Sequence, residues 1–176
     1  MGSIRGHSAG VPVKSQTHTS KVSVLFVSGE HDTAGHRYRI ADFAAALPSD
    51  QYDVIVLRQG DIARTLNQLA DFRVVWFWRA RLTPAVARLL KWSIDRGSVV
   101  VGDIDDLVFA SSSVTVDDID GFRAMGWNPS SAGPLFSARS AVLAAADLRT
   151  ATTKPLVEAL EMDIGPAVAL PNGYDE

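Results

Sequence analysis

Val74-Val75-Trp76-Phe77-Trp78, then Thr83-Pro84 and a helical stretch to Gly97, then Val99-Val100-Val101 breaking at Gly102-Asp103: this stretch decides the fold. Short β-branched and aromatic runs bounded by turn residues read as buried strands. Threonine followed by proline is a helix start, because the hydroxyl caps the first turn and proline's missing N–H is not needed there. A strand, a helix and a second strand in close succession form a parallel crossover unit.

The same unit recurs in both directions. Upstream, Val22 to Ser28 is a first strand ending at Gly29, and Arg37 to Leu47 carries Ile40, Phe43, Ala44 and Leu47 on one helical face before Pro48. Tyr52 to Leu57 is a second strand bounded by Gly60, and Ile62, Leu66 and Leu69 mark a second helix with Asp61 as its N-cap. Downstream, residues 110–133 are irregular, an alanine-rich helix spans Pro134 to Ala146, and Leu148 to Ala151 is a short strand. Thr153-Lys154-Pro155 opens a helix ending near Gly165, and Ala167 to Leu170 is the last strand. Six apolar strands alternating with helices predict one α/β domain with a Rossmann-like, doubly wound parallel sheet in three α/β/α layers. Residues 1–20, rich in Ser, Gly and Thr, read as a disordered tail, and 21–176 as the domain.

Composition narrows the function. With 176 residues, 47% hydrophobic and 21% charged, the chain can build a sizeable core. It has no cysteine, which excludes disulfides, thiolate metal sites and cysteine nucleophiles. A net charge of -3 argues against a nucleic-acid partner. No apolar run approaches a membrane span and no signal-peptide centre is present, so a cytoplasmic location is expected.

Ligands of doubly wound sheets bind beyond the carboxyl ends of the strands. The first such loop, Ser28-Gly29-Glu30-His31-Asp32-Thr33-Ala34-Gly35-His36, lacks the dinucleotide fingerprint. It leads into Arg37 and Arg39, whose charges oppose a helix N-terminus and suggest a nearby anion or polar ligand. The alternative is that both face solvent or pair with Glu30 and Asp32. The loop Gly102-Asp103-Ile104-Asp105-Asp106-Leu107-Val108-Phe109 sets three carboxylates between apolar runs. Such crowding predicts a raised pKa or a cationic partner, with Arg79 or Arg81 as candidates. Asp103, Asp105 and Asp106 are therefore the candidate catalytic acids or bases, or a polar wall for sugar hydroxyls; capping beside one buried ion pair is the structural alternative. Asp103-x-Asp105 also matches a weak metal-binding D-x-D pattern. His31, His36 and Asp32 show no metal-helix spacing, and no hydrolase elbow occurs. Trp127 is a candidate for stacking on a sugar or for anchoring its loop.

Taken together, the loops resemble a known family. Gly35-His36-Arg37-Tyr38-Arg39-Ile40, Val75-Trp76-Phe77-Trp78-Arg79, Gly102 to Phe109, Ala151-Thr152-Thr153-Lys154-Pro155-Leu156 and Leu170-Pro171-Asn172-Gly173-Tyr174-Asp175 follow one another as in the N-terminal domain of bacterial GT-B glycosyltransferases of the family 4 type. The resemblance covers nearly all of residues 22–176. It implies the acceptor-side half of a hexosyltransferase that moves a sugar from a nucleotide-sugar donor to a glycan, lipid-linked or small-molecule acceptor. It implies no metal or other cofactor, with Asp103, Asp105 and Asp106 facing the reaction cleft. Gly29, Gly35, His36, Arg37, Arg39, Arg79 and Asn172 become substrate-binding candidates, and Asn172-Gly173 marks the start of an interdomain linker. The donor-binding half is expected from a further domain or a partner chain, leaving this chain inactive alone, and peripheral membrane contact or a homodimer is compatible with the resemblance. Two other readings remain: a non-catalytic binding or partner module of the same fold, and a metal-dependent GT-A transferase using Asp103 and Asp105.

Overall fold

The computed structural model describes residues 21–112, 126 and 128–172. Six strands form one all-parallel sheet: β1 (Val22–Ser28), β2 (Tyr52–Arg58), β3 (Val74–Trp78), β4 (Val99–Ile104), β5 (Leu148–Ala151) and β6 (Val168–Ala169), in the order β2-β1-β3-β4-β5-β6. This is a single-domain, doubly wound α/β fold of the Rossmann-like kind, as the strand–helix alternation predicts. The order reverses between β1 and β3, because the chain leaves β1 toward one edge and crosses back to β3 on its other side. In folds of this kind ligands bind beyond the carboxyl ends of the strands at such a reversal point.

Helix α1 runs on through Ala34–His36, a π-helical turn Arg37–Ala41 and Asp42–Ala46. A short helix, α2, joins 3-10 turns at Gln59–Asp61 and Leu66–Gln68 to one α turn at Ile62–Thr65. Then come α3 (Pro84–Asp95), α4 (Pro129–Ala144) and α5 (Lys154–Asp163). Side-chain alternation along the strands divides the core between the two sheet faces. Leu25, Val27, Val75, Phe77 and Val100 pack under α2, α3 and α4, and Ile104 and Ala151 continue that layer under α4 and α5. Val24, Phe26, Trp76 and Trp78 point the other way, where α1 covers them with Ile40, Phe43, Ala44 and Leu47. The alternation of right-handed crossovers explains this division: only the β1–β2 connection runs backward, so only its helix lies on the second face.

Four local expectations change. The fourth strand does not break at Gly102-Asp103 but continues to Ile104, because Asp103 finds its charge partner inside. The alanine-rich helix starts at Pro129 rather than Pro134, secured by a reciprocal capping box in which Asn128 and Ser131 satisfy each other's backbone amides. Asp61 caps nothing; its carboxylate pairs with Arg64 instead. Helix α1 begins at Ala34, capped by Thr33 Oγ1, so Arg37 and Arg39 stand beyond its first turn and the dipole argument does not apply to them. The Thr83-Pro84 start is as read, with Thr83 Oγ1 accepting from Val86 N at 3.2 Å. The tail, with His7 and His18, the segment containing Trp127 and the end from Gly173 lie outside the described residues.

Candidate functional site

Parallel register carries one row of residues across the sheet near its carboxyl edge: Ser28 opposite Trp78, Trp78 opposite Asp103, Asp103 opposite Thr150. All four side chains point to the α1 face, so this row lies beneath α1 at the carboxyl edge of the sheet. Helix α1 covers it. Its π turn places two consecutive residues, Arg39 and Ile40, inside; such a turn inserts a residue and redirects side chains, and is often found at functional sites.

Arg39 meets Asp103 there as a fork-to-fork pair, with side-chain exposure of 0% on both partners. Arg39 Nε donates to Asp103 Oδ2 at 3.0 Å and Nη2 to Oδ1, and Thr150 Oγ1 donates to Oδ1 at 2.7 Å. Burial pushes the Asp103 carboxyl up from its ordinary value, while Arg39 and Thr150 pull it back. Arg39 Nη1 also donates to Leu170 O at 2.5 Å and, more distantly, to Asn172 Oδ1 at 3.5 Å. One guanidinium thus fastens the first helix, the fourth strand and the segment leaving the last strand.

A second network lies at the carboxyl edge beside it, with Arg79 as its hub. Arg79 is the described non-glycine residue with positive φ, at 47°. Strain of that kind persists only where the surroundings hold it, here the turn out of β3. Arg79 Nε donates to Asp105 Oδ1 at 2.5 Å and Nη1 to Glu30 Oε2 at 2.9 Å, while Nη2 stands 3.7 Å from Asp106 Oδ2. Burial works against the Arg79 charge, but Asp105 and Glu30 outweigh it and hold the guanidinium above its ordinary value. Trp78 Nε1 donates to the same Asp105 oxygen at 2.9 Å. Arg139 of α4 reaches the other Glu30 oxygen, and donates to Val108 O at 3.2 Å and Arg79 O at 3.4 Å.

The glycines of the first loop are explained by contact. A Cβ on Gly29 would stand 2.2 Å from Arg79 O, so the β1 and β3 turns touch backbone to backbone. A Cβ on Gly35 would meet the Trp78 ring at 2.7 Å and Asp105 Oδ2 at 3.0 Å. His36 shares a hydrogen bond with Ser28 Oγ at 3.0 Å and stacks on His31 with ring centroids 4.3 Å apart. Burial lowers its pKa from the ordinary 6.5, with His31 and Arg58 acting in the same direction.

No family model, curated protein or solved structure matches this chain. What its site can do must be read from the site. Of the residues singled out in the sequence, Asp103, Asp105, Arg39, Arg79, Gly29, Gly35 and His36 converge at the carboxyl edge of β1, β3 and β4, with Asn172 at its border. Arg37 does not join them; it is exposed on α1. The alternative, that both face solvent or pair with Glu30 and Asp32, holds for Arg37, which faces solvent, and not for Arg39, which binds Asp103. Of the two candidate cations Arg79 does serve the carboxylates, pairing with Asp105 and standing near Asp106, while Asp103 takes Arg39 instead. Its full enclosure keeps it from any ligand in this conformation, whereas Asp106, with its side chain 56% exposed, is the open carboxylate of the three. The D-x-D reading gains nothing, because Asp103 and Asp105 are turned apart onto different arginines. Among the described residues, no cluster of three or more His, Cys, Asp or Glu is placed to hold a metal ion, and no helix is long and apolar enough to cross a membrane.

Two members were missed in the sequence. Glu30 figured there only as a partner for Arg37 or Arg39. Arg139 was passed over although it is the sole charged residue between Pro129 and Ala146. A lone charge in an otherwise apolar and small-residue helix is a usable sign, since burial obliges it to find a partner. Beside the site, between α1 and the sheet, an apolar cavity of about 280 Å³ is lined by Phe26, Phe43, Tyr52, Trp76 and Leu170 among others.

Proposed function

We propose that this chain is the acceptor-side half of a glycosyltransferase of the GT-B type, moving a hexose from a nucleotide-sugar donor to a glycan, lipid-linked or small-molecule acceptor. One observation carries the reading. The separate segments on which the resemblance rests meet at one place: Arg39 of the first touches Asp103 of the third and Leu170 and Asn172 of the last. Arg79 of the second touches Asp105 of the third. Segments scattered over the sequence are thus joined at the carboxyl edge, where ligands of this fold bind.

The exposures and ion pairs support a division of roles within this reading. Asp106 is the carboxylate able to touch a sugar: the general base if the reaction inverts, an orienting group if it retains. Asp103 and Asp105 are positioning residues that fix the strand end carrying Asp106, and Arg79 sets the charge around it. The donor nucleotide belongs to a second Rossmann-like half, on a further domain or a partner chain.

Calorimetric titration with uridine, guanosine and thymidine diphosphates tests the division of labour. Micromolar binding that depends on the base would place the nucleotide site within this chain and overturn the reading. Sugar transfer on joining a donor half, abolished by Asp106→Ala, is the expected outcome. A non-catalytic module of the same fold is the second reading, favoured by the commitment of Glu30, Asp103 and Asp105 to internal ion pairs; transfer unaffected by Asp106→Ala would select it.

A further inference from the structure

Arg79 and Arg139 are both largely buried, with side-chain exposures of 16% and 4%, and they share one loop carboxylate, Glu30. Each Glu30 oxygen serves a different guanidinium: Oε2 accepts from Arg79 Nη1 and Oε1 from Arg139 Nη2. Neither arginine depends on Glu30 for its position. Arg79 is anchored by Asp105, and Arg139 by the carbonyls of Val108 and Arg79. The two cations therefore form a preorganised fork that stays in place when the carboxylate leaves.

Glu30 is the member suited to leave. It sits on the loop after β1, is more exposed than either arginine at 27%, and has its backbone held independently, Thr33 Oγ1 donating to Glu30 O at 2.8 Å. Its side chain can swing out without unmaking the loop. Charge also runs short around Arg139. Burial lowers its pKa, Arg79 and Arg81 add to the effect, and Glu30 only partly offsets it. A single carboxylate spanning two guanidiniums occupies the position that a phosphate group fills better, with more acceptor oxygens and up to twice the charge.

We propose that Arg79 and Arg139 form a binding site for a phosphate group, occupied by the Glu30 carboxylate in the ligand-free chain and vacated when a phosphate-bearing ligand arrives. The site takes a phosphate monoester or diphosphate. Glu30 acts as an internal competitor that sets the affinity and keeps two buried cations compensated meanwhile. The proposal deepens the transferase reading and rests on it only for the identity of the phosphate's bearer; the fork itself needs no sugar transfer.

The test is binding of inorganic phosphate and pyrophosphate to the whole chain, followed by calorimetry and by the Nε resonances of the arginines, with chloride at matched ionic strength as control. Pyrophosphate is expected to bind the wild-type chain weakly, and Glu30→Gln to tighten it roughly tenfold by removing the competing charge-assisted bonds. Arg139→Gln should abolish the gain. Circular dichroism separates misfolding from loss of the site, and if Glu30→Gln unfolds, pyrophosphate titration of the wild type must still shift the Arg79 and Arg139 resonances selectively. Pyrophosphate affinity unchanged in a folded Glu30→Gln variant, or no selective shift, overturns the proposal. Failure of sugar transfer with phosphate binding intact would overturn the transferase reading alone.

Discussion

Replacing Arg39 by methionine should expose how much the buried pair with Asp103 holds. Methionine keeps most of the apolar stem and removes only the guanidinium. Asp103 would then keep the Thr150 hydroxyl, with the Trp76 indole also acting on it, but no counter-charge in a site with 0% side-chain exposure. Such a carboxyl escapes by taking a proton. At pH 7 that costs about 1.4 kcal/mol for each of roughly three units above the ordinary carboxyl value, about 4 kcal/mol. The figure agrees with the roughly 3–5 kcal/mol lost when one partner of a buried ion pair is removed. For a domain of this size it lowers Tm by roughly 8–16 °C. The origin of the cost gives it a signature. Asp103 in this variant has a folded pKa raised above its unfolded value, so the penalty is absent below the unfolded pKa and grows as pH rises. Asp103 is already raised by burial in the wild type, so urea unfolding at pH 7, 6 and 5 should find the difference shrinking as pH falls, by at most about 1.4 kcal/mol per unit. Adding Asp103→Asn to Arg39→Met should recover a large part of the loss at pH 7 and flatten the pH dependence. A loss below about 1 kcal/mol at pH 7, as for an exposed pair, would refute the reasoning. So would a loss that does not vary with pH.

Other perturbations give equally direct outcomes. Gly29→Ala puts a Cβ 2.2 Å from Arg79 O, backbone that cannot step aside, and should cost more than about 2 kcal/mol by thermal unfolding, with Gly60→Ala, where a Cβ meets nothing within 4 Å, as the tolerant control. His36 has its pKa lowered from 6.5 chiefly by burial, so the unfolded chain takes up the proton first and stability falls as pH drops below about 6.5. His36→Gln should remove that part of the pH dependence between 6.5 and 5, measured as urea midpoints.

The fold was legible where one strand's own residues determine it. Val22 to Ser28, Tyr52 to Leu57, Val74 to Trp78 and Leu148 to Ala151 are runs whose apolar and β-branched side chains suit either face of a covered sheet, and the structure forms strands over them. The alternation of such runs with helices then leaves few topologies. The failures occur where a distant partner decides. Asp103 looks like a strand breaker until Arg39, 64 residues away, neutralises it. Pro134 looks like a helix start because the local pattern favours it, while the actual start draws on the Asn128–Ser131 exchange, whose signal in Asn128-Pro129 is diluted by the surrounding serines.

The site divides along the same line, and the division bears on its chemistry. Sequence placed three carboxylates at one strand end but could not rank them, since ranking depends on which arginine each one meets. Register settles part of this: Asp103, within β4, must point to the α1 face and meets Arg39, while Asp105, past the strand end, reaches Arg79 and Trp78. Asp106 is left at the rim. A catalytic group must reach its substrate, and a group held by two arginine nitrogens in a closed site cannot leave without the cost worked out above. On the proposed transferase reading, mutational loss at Asp103 would therefore report on architecture, and loss at Asp106, in a chain of unchanged stability, on chemistry. Activity measured beside unfolding free energy for Asp103→Asn and Asp106→Asn separates the two: if Asp103→Asn abolishes transfer with stability intact, Asp103 acts on substrate after an opening of α1, and the ranking of the carboxylates must be reversed.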